Sequence, residues 1–287
     1  MKKNVLIIGA SGFVGKALTP KLAQSGNLFL VSRNENFTYP RAETYYGDLS
    51  NKDFCRGIVK NIDTVFYLAG YKKNLKYHMQ APFEFVAGNV LPLVNFLEAA
   101  KNSQIKKIIY MSSTNAGLYN DGEKDGYVVG KYLNELLLKS FAQESEIETK
   151  IIRSAPVYGP GDSFDKDTAN FIPAMIQKIF ESQNEIEVWG SGQRKLQFIY
   201  ISDLVSNILN LADSDRDFAT VGNPEALTIN EIVGKIIRLS GKNIKVRNDP
   251  SKPDKLTQLF EFDNGIAPAT DMEEGLKLTL EFYKQHA

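Results

Sequence analysis

The chain has 287 residues, with 34 basic and 34 acidic side chains and therefore no formal net charge. This balance creates no overall field toward nucleic acid or an anionic membrane, so neither partner is expected. The single cysteine, Cys55, excludes an internal disulfide and favours a reducing, cytoplasmic location. We find no signal peptide and no apolar run near the ~20 residues that cross a bilayer.

The chain opens with the apolar run Val5–Ile8, which predicts a buried parallel strand. Glycines follow at 9, 12 and 15, and a helical pattern begins among them. In such a turn, outward-facing N–H groups, the helix dipole and missing Cβ atoms let a pyrophosphate approach closely. A plain structural turn is the alternative, but the order strand, turn, helix favours dinucleotide binding. The candidate contacts in this turn are Gly9, Ser11, Gly12, Phe13, Val14 and Gly15.

Strands and helices then alternate, which predicts an α/β fold with a doubly wound parallel sheet. The further predicted strands are Leu28–Ser32, Glu43–Tyr46, Thr64–Ala69, Lys107–Ser112 and Thr149–Arg153. Helices are predicted over 83–101 and 127–145. After Ser154 the rhythm becomes irregular. We therefore predict one domain from residues 1–154 plus about 200–222, and a smaller domain from 155–199 and 223–287.

Tyr127 and Lys131 are spaced so that a helix places both side chains on one face. A lysine there favours the phenolate and makes the tyrosine usable as an acid or base. A partly exposed pair without a catalytic role is the alternative. Ser112–Thr114 ends the fifth predicted strand, at the sheet edge where open α/β folds bind ligands. A hydroxyl there could bond the same substrate oxygen as Tyr127.

Two other kinds of chemistry are disfavoured. The two histidines, His78 and His286, and the single cysteine form no ligand-spaced cluster, so no metal is expected. No Gly-x-Ser-x-Gly elbow is present, which argues against a serine hydrolase.

Over nearly its whole length, the chain resembles the extended short-chain dehydrogenase/reductases, the NAD-dependent epimerase/dehydratase family. The matching segments are Gly9–Gly15, Gly47–Leu49, Leu68–Gly70, Asn89–Val90, Ser112–Thr114, Tyr127–Lys131, Arg153–Gly159, Trp189–Gly192 and Phe198–Asp203. The resemblance implies a Rossmann-type NAD(P)-binding domain followed by a smaller C-terminal substrate-binding domain.

The resemblance also implies roles for individual residues. Tyr127 would exchange a sugar hydroxyl proton while hydride moves to or from the nicotinamide, and Thr114 would orient the reacting oxygen. Lys131 would hold the nicotinamide ribose and lower the pKa of Tyr127. Cofactor contacts are further implied for Ser32, Arg33, Asp48, Leu49, Leu68, Ala69, Gly70, Asn89 and Ser112, with Pro156 and Val157 at the carboxamide. Asn115 and Arg194 are candidate substrate contacts.

The sequence departs from this family at the end of the second strand. NAD-preferring members have an acidic residue there, whereas this chain has Ser32–Arg33. A carboxylate would repel a 2′-phosphate, while Arg33 could pair with one and Ser32 could donate to it. The alternative is that Arg33 is a solvent-exposed charge or stacks on adenine. We therefore predict NADP as cofactor, with NAD possible.

A second departure concerns the segment that grips the diphosphate of activated sugars. The family has Arg-Asp where this chain has Leu196–Gln197. Arg194 or Lys195 could compensate, or the substrate carries no pyrophosphate.

We predict an enzyme that acts on a hydroxyl or keto carbon, with a nucleotide sugar as the default substrate and a leaning toward NADPH-dependent reduction of a 4-keto sugar. The alternatives are a 4-epimerase that retains its cofactor and a non-catalytic NAD(P)-binding sensor. The family resemblance also implies a homodimer formed by the helices 83–101 and 127–145 as a four-helix interface.

Overall fold

A computed structural model describes residues 3–71, 80–120, 122–165, 168–252 and 257–286. His78 lies outside these residues. The chain divides into two compact units. The first comprises Met1–Arg153 and Ile208–Ala219, and the second Ser154–Asn207 and Thr220–Ala287.

A seven-stranded sheet forms the centre of the fold, in the order β11-β6-β5-β4-β1-β2-β3. Strands β1 to β5 pair in parallel, and β1 is hydrogen-bonded to both β2 and β4. The strands are β1 (Lys3–Ile8), β2 (Gly26–Ser32), β3 (Ala42–Tyr46), β4 (Thr64–Tyr67), β5 (Lys107–Ser113), β6 (Glu148–Ser154) and β11 (Phe218–Val221). This arrangement confirms the predicted Rossmann-type sheet. The order reverses between β1 and β4, which is the position where such sheets bind ligands.

In the part of the first unit that the structure describes, four α-helices connect the strands. They are α1 (Phe13–Leu22), α2 (Lys52–Ile58), α3 (Pro82–Lys101) and α4 (Gly126–Glu144), and a short 3₁₀ helix covers Thr114–Leu118. Helices α3 and α4 pack against each other, and α2 packs on α3. Both long helices begin and end within one residue of their predicted bounds.

Helix α3 is long and mostly apolar. By length and composition alone, this helix could cross a membrane, although no apolar run of that length was expected. Polar residues such as Asn89 and Asn95 interrupt its apolar stretches, but its mean hydropathy is still that of an apolar helix. Its residues Phe85, Leu93 and Phe96 are fully buried within the unit. A mostly apolar helix that buries one face is typical of a protein core, and we interpret α3 in this way.

Among its described residues, the second unit contains three short two-stranded sheets. Strand β7 (Val157–Tyr158) pairs with β10 (Ile199–Tyr200), β8 (Glu185–Trp189) with β13 (Lys245–Asp249), and β9 (Lys195–Leu196) with β12 (Leu227–Thr228). The described helices of this unit are α5 (Phe171–Glu181), α7 (Ile229–Ser240) and α8 (Met272–His286). Helix α6 (Ile201–Asp213) begins in this unit, and its residues from Ile208 onward belong to the first. Thr228 and Glu231 form a capping box at the start of α7.

The segment that returns to the first unit is Ile208–Ala219, which is shorter than the predicted 200–222. One reason is that β10 pairs with β7 inside the second unit. A buried cation secures the returning segment, since the fully buried Lys150 donates to the carbonyls of Ser214 at 2.6 Å and Arg216 at 2.8 Å. Sequence patterning did not predict this contact.

Candidate active site

The glycine turn lies at the reversal of strand order, between β1 and α1. Gly9 has φ of +88°, and a Cβ there would lie 2.9 Å from the Ala69 nitrogen. A Cβ on Gly15 would lie 2.7 Å from the Ala10 Cα. Both positions therefore require glycine. Gly12 is the N-cap of α1 and has no side chain that could occupy the free N–H groups of the first helical turn.

Ser32 ends β2 beside this turn, and Arg33 follows it. The buried Ser32 hydroxyl bonds the Ser11 hydroxyl at 2.8 Å and accepts the Asn34 N–H at 2.9 Å. The exposed Arg33 guanidinium lies 3.8 Å from the Asp48 carboxylate. The backbone N–H of Ser50 and, more weakly, Arg33 lower the pKa of Asp48. The structure therefore brings together Ser11, Ser32, Arg33 and Asp48.

Leu49 differs from its neighbour Asp48. Its side chain is buried in the hydrophobic core, and its carbonyl accepts the Asn95 amide at 3.0 Å. The Leu49 side chain thus supports the fold instead of facing outward from the sheet edge.

The exit from β4 approaches the helices α3 and α4. The Leu68 N–H continues the ladder to the Ile8 carbonyl, and Ala69 lies against Gly9. A Cβ on Gly70 would lie 3.4 Å from the Asn89 Oδ1 and 3.8 Å from the Lys131 Nζ. Three separate predicted site residues, Gly70, Asn89 and Lys131, therefore meet here.

The Asn89 side chain is already bonded to protein groups. Its Oδ1 accepts the Tyr71 N–H at 3.0 Å, and its Nδ2 donates to the Phe85 carbonyl at 2.9 Å. These bonds fasten the exit from β4 to α3. Asn89 thus shapes the wall of the site, whereas its predicted direct contact with the cofactor stays a prediction.

Helix α4 carries the Tyr127–Lys131 pair near its start. The Asp125 carboxylate caps the helix by accepting the Tyr127 N–H at 2.8 Å. The Lys131 Nζ donates to the Met111 carbonyl at 2.9 Å. Burial lowers the pKa of Lys131 to about 8, against a smaller opposing effect of the Glu135 carboxylate.

The pKa of Tyr127 differs from the expectation. Burial raises it above the ordinary value, the Ser113 hydroxyl bond lowers it, and the Asp125 carboxylate raises it. Desolvation, and not the expected effect of Lys131, therefore sets the direction of the Tyr127 pKa shift. The physical reason is that Tyr127 is desolvated, which disfavours the phenolate. Ser113 is thus the hydroxyl that contacts Tyr127, a role that the sequence did not indicate.

The Ser112 hydroxyl donates to the buried Glu135 carboxylate. Its predicted contact with the cofactor stays a prediction. Glu135 is also paired with Arg153, whose Nε and Nη2 donate to it at 2.8 Å and 2.6 Å. The side chains of Ser112, Glu135 and Arg153 thus join β5, α4 and β6 near the carboxyl edge of the sheet. The sequence did not predict these contacts.

Thr114 begins the 3₁₀ helix and is 1% exposed. Its hydroxyl has no hydrogen-bond partner among the described residues. A buried hydroxyl without a partner is costly unless a ligand supplies one. The neighbouring Asn115 is half-buried, and its N–H donates to the Ser113 hydroxyl at 3.2 Å.

The other predicted contacts belong to the second unit. Val157 is buried in β7, Pro156 is exposed, and Arg194 is half-buried just before β9. Gln197, one of the two departures from the family pattern, bonds the backbone of Phe260 through both ends of its amide, at 2.8 Å and 3.3 Å. Its side chain therefore joins two segments of this unit.

Within the described ranges, no group of three His, Cys, Asp or Glu side chains is placed to hold a metal ion.

The family model described as "NAD dependent epimerase/dehydratase family" matches residues 5–222. The chain belongs to this family. It is 25% identical to a dTDP-4-dehydro-6-deoxy-D-allose reductase of Streptomyces sp, over 99% of this chain and 97% of that protein. It is likewise 25% identical to GDP-mannose 3,5-epimerase 1 of Oryza sativa subsp. indica, over 99% and 82%. The solved structure of MoeE5 in complex with UDP-glucose and NAD has a TM-score of 0.83 and 25% identity, covering 98% and 99%.

These similarities confirm the predicted family and its enzymatic nature, since the relatives are named as reductases and epimerases of nucleotide sugars. They leave the choice between reduction and epimerisation open.

The buried charge of Lys131 leads to a first prediction. We expect its ammonium to titrate near pH 8, and Glu135→Gln to lower this midpoint by about half a unit to one unit, because the carboxylate favours the charged amine. The measurement is ¹³C NMR of protein labelled at the lysine ε-carbon, with the resonance assigned by its loss in Lys131→Arg.

Glu144→Gln is the matched control. Glu144 ends the same helix and pairs with Lys101 at 2.9 Å, so this change should leave the Lys131 midpoint where it is. A midpoint near 10.5 in the unmodified protein would contradict the account.

Proposed function

We propose that the protein uses NADPH to reduce the 4-keto group of a nucleotide-linked sugar. The observation that carries this proposal is that Lys131 bonds the Met111 carbonyl and Tyr127 contacts the Ser113 hydroxyl at the carboxyl end of β5, where Thr114 follows. The glycine turn lies in the same unit. The relative named as a dTDP-4-dehydro-6-deoxy-D-allose reductase supports a keto-sugar substrate.

The bound dinucleotide would supply the hydride, and this chain's residues would hold it and manage the proton. The N–H groups at the start of α1 would bind the pyrophosphate, since Gly9 and Gly15 leave the approach open. Tyr127 would donate its phenolic proton to the ketone oxygen. Its raised pKa keeps it protonated at neutral pH, which suits an acid and therefore the direction of reduction. Thr114 would donate its buried hydroxyl to the same oxygen.

The second candidate is an epimerase that retains its cofactor. It is supported by the relative named as a GDP-mannose 3,5-epimerase. In that case Tyr127 would take a proton and later return one, and no net oxidation of the cofactor would occur. A non-catalytic sensor is the third candidate, and the retained Tyr127, Lys131 and Thr114 count against it.

We propose NADP(H) as the preferred cofactor because of Arg33. Its guanidinium is mostly exposed at the end of β2 and is free to turn toward a 2′-phosphate. Asp48 competes for the same guanidinium at 3.8 Å, and MoeE5 is a complex with NAD. The preference therefore depends on whether a phosphate displaces this carboxylate from Arg33.

For the substrate diphosphate, we propose Arg194 or Lys195 as the cationic contact. Gln197 cannot take this place because its amide is bonded to the backbone of Phe260. Both basic residues lie immediately before or at the start of β9, on the segment that carries the family's pyrophosphate contacts.

We also propose a homodimer through α3 and α4. These helices pack together and leave Phe83, Leu91 and Leu136 exposed at 84%, 57% and 41%. Large apolar side chains exposed on adjacent helices are costly in water unless another surface covers them. A second copy presenting the same helices would form a four-helix interface.

Removing the acid is the most direct test of the chemistry. Tyr127→Phe should lower kcat by about 10²- to 10⁴-fold, the usual contribution of a positioned acid or base. The assay follows loss of reduced nicotinamide absorbance with a panel of 4-keto nucleotide sugars. Tyr132→Phe is the control, because Tyr132 lies on the same helix and stacks on Tyr119 at 4.2 Å. Turnover unchanged in Tyr127→Phe would refute the assignment, whereas sugar conversion without cofactor loss would favour the epimerase.

The cofactor preference is tested by titrating both dinucleotides into the protein. We expect NADPH to bind about tenfold tighter than NADH, and Arg33→Ala to remove that difference because a charge-assisted bond is lost. Lys16→Ala is a suitable control, since Lys16 is an exposed cation on α1. Tenfold tighter NADH binding would overturn the preference.

The dimer is tested by light scattering after size exclusion. The unmodified protein should elute at twice the chain mass, and Leu91→Glu should give the monomer because a charge would be buried at the interface. Leu259→Glu, a comparably exposed position at 52% in the second unit, should remain dimeric. A monomeric unmodified protein would disprove the interface.

A further inference from the structure

A second buried phenol lies beside the catalytic lysine. Tyr110 is fully buried in β5, and its hydroxyl oxygen lies 3.5 Å from the Lys131 Nζ. The same ammonium is 5.1 Å from the centre of the Tyr110 ring. The Met111 carbonyl accepts from Lys131 at 2.9 Å. Residues of one strand therefore provide two acceptors for this lysine.

The Tyr110 hydroxyl is itself held in place. The Asn134 Nδ2 donates to it at 3.0 Å and to the Asn89 carbonyl at 3.2 Å. Asn134 is 2% exposed and lies one helical turn beyond Lys131 on α4. The Tyr110 ring packs against the Tyr67 ring with centroids 5.7 Å apart. The hydroxyl thus has a fixed position, although its proton can rotate.

We propose that Tyr110 is a positioning residue, oriented by Asn134, that keeps Lys131 in one place through both of its protonation states. When Lys131 is an ammonium, the phenolic oxygen accepts from it. When Lys131 is a neutral amine, the phenolic O–H turns and donates to it. The inference rests on the proposed function, because it assigns Tyr110 to the lysine of that catalytic pair.

A fixed lysine matters because the amine faces the exit from β4. A Cβ on Gly70 would lie 3.8 Å from the Lys131 Nζ, so the amine borders the Gly70 backbone. A lysine stem has four rotatable bonds, and losing one acceptor would let the head group leave this position. The expected consequence is slower turnover with little change in how tightly the sugar binds.

Other ionisable groups also surround Lys131. Glu135 and Tyr127 lie on the same helix, and Arg153 of β6 pairs with Glu135. Gly70 beyond β4 and Asn89 of α3 face the amine without charge. None of these groups changes when the Tyr110 hydroxyl is deleted, so a shift in the lysine titration reports the hydroxyl itself.

Tyr110→Phe tests the proposal because it removes one oxygen and keeps the ring. The change removes an acceptor from the ammonium and a donor from the neutral amine, and the bond to the charged form is the stronger one. The Lys131 titration midpoint should therefore move down by about half a unit to one unit. We expect kcat to fall about tenfold, with KM for the sugar within about twofold. Asn134→Leu should also lower the Lys131 midpoint and kcat, but by smaller amounts. Tyr67→Phe is the matched control, a buried phenol on the neighbouring strand that should change neither quantity.

Thermal melts of all three variants establish that each is folded. A Lys131 midpoint and kcat in Tyr110→Phe equal to those of Tyr67→Phe would overturn the proposal. The ε-carbon titration needs no substrate, so it decides the Tyr110 contact even if the unmodified protein reduces no sugar. In that event the proposed function fails, while a shifted midpoint still supports the contact.

Discussion

The site depends on how closely the backbone of the β1–α1 turn approaches its neighbours. A side chain on Gly9 would collide with the backbone of Ala69, and one on Gly15 with that of Ala10. This contact fixes α1 against β1 where the order of strands reverses. The free N–H groups of the first helical turn therefore stand at the sheet edge that also carries the ends of β4 and β5. The proposed anion binding and the proposed proton chemistry would therefore occur at one edge of the sheet, because this packing places the elements that carry them side by side.

Beneath that edge, buried polar groups set the protonation of the site. Desolvation raises the pKa of Tyr127 and lowers that of Lys131 to about 8. Both effects disfavour charge, so the phenol keeps its proton and the lysine can release one near neutral pH. The Glu135 carboxylate, which lies on the helix of Lys131 and pairs with Arg153, opposes the lowering of the Lys131 pKa. A phenol that keeps its proton, on the same helix as a lysine that can exchange one, suits the proposed role of Tyr127 as an acid.

Much of this arrangement could be predicted from local sequence. The glycine spacing, the strand–helix alternation and the four-residue interval of Tyr127 and Lys131 are periodic signals, and each corresponds to an observed element. Contacts between distant segments were not predictable, because no periodicity encodes them. Ser113 rather than Ser112 faces Tyr127, since strand alternation turns Ser112 toward Glu135. Gln197 and Lys150 similarly bond backbone groups over 60 residues away. The net rise of the Tyr127 pKa was not predicted, because burial cannot be read from the Tyr–Lys spacing.

The central claim is that residues at this edge of the sheet would hold a reduced dinucleotide that supplies hydride to a sugar carbon, while Tyr127 would supply the proton. Isotope transfer tests it most directly, using NADPH deuterated at the reactive nicotinamide carbon and a 4-keto nucleotide sugar, with the product examined by NMR and mass spectrometry. The account predicts one deuterium on the former keto carbon for each cofactor oxidised. A protein that binds the dinucleotide, leaves it unoxidised and yields no deuterated sugar with any substrate of the panel would contradict it.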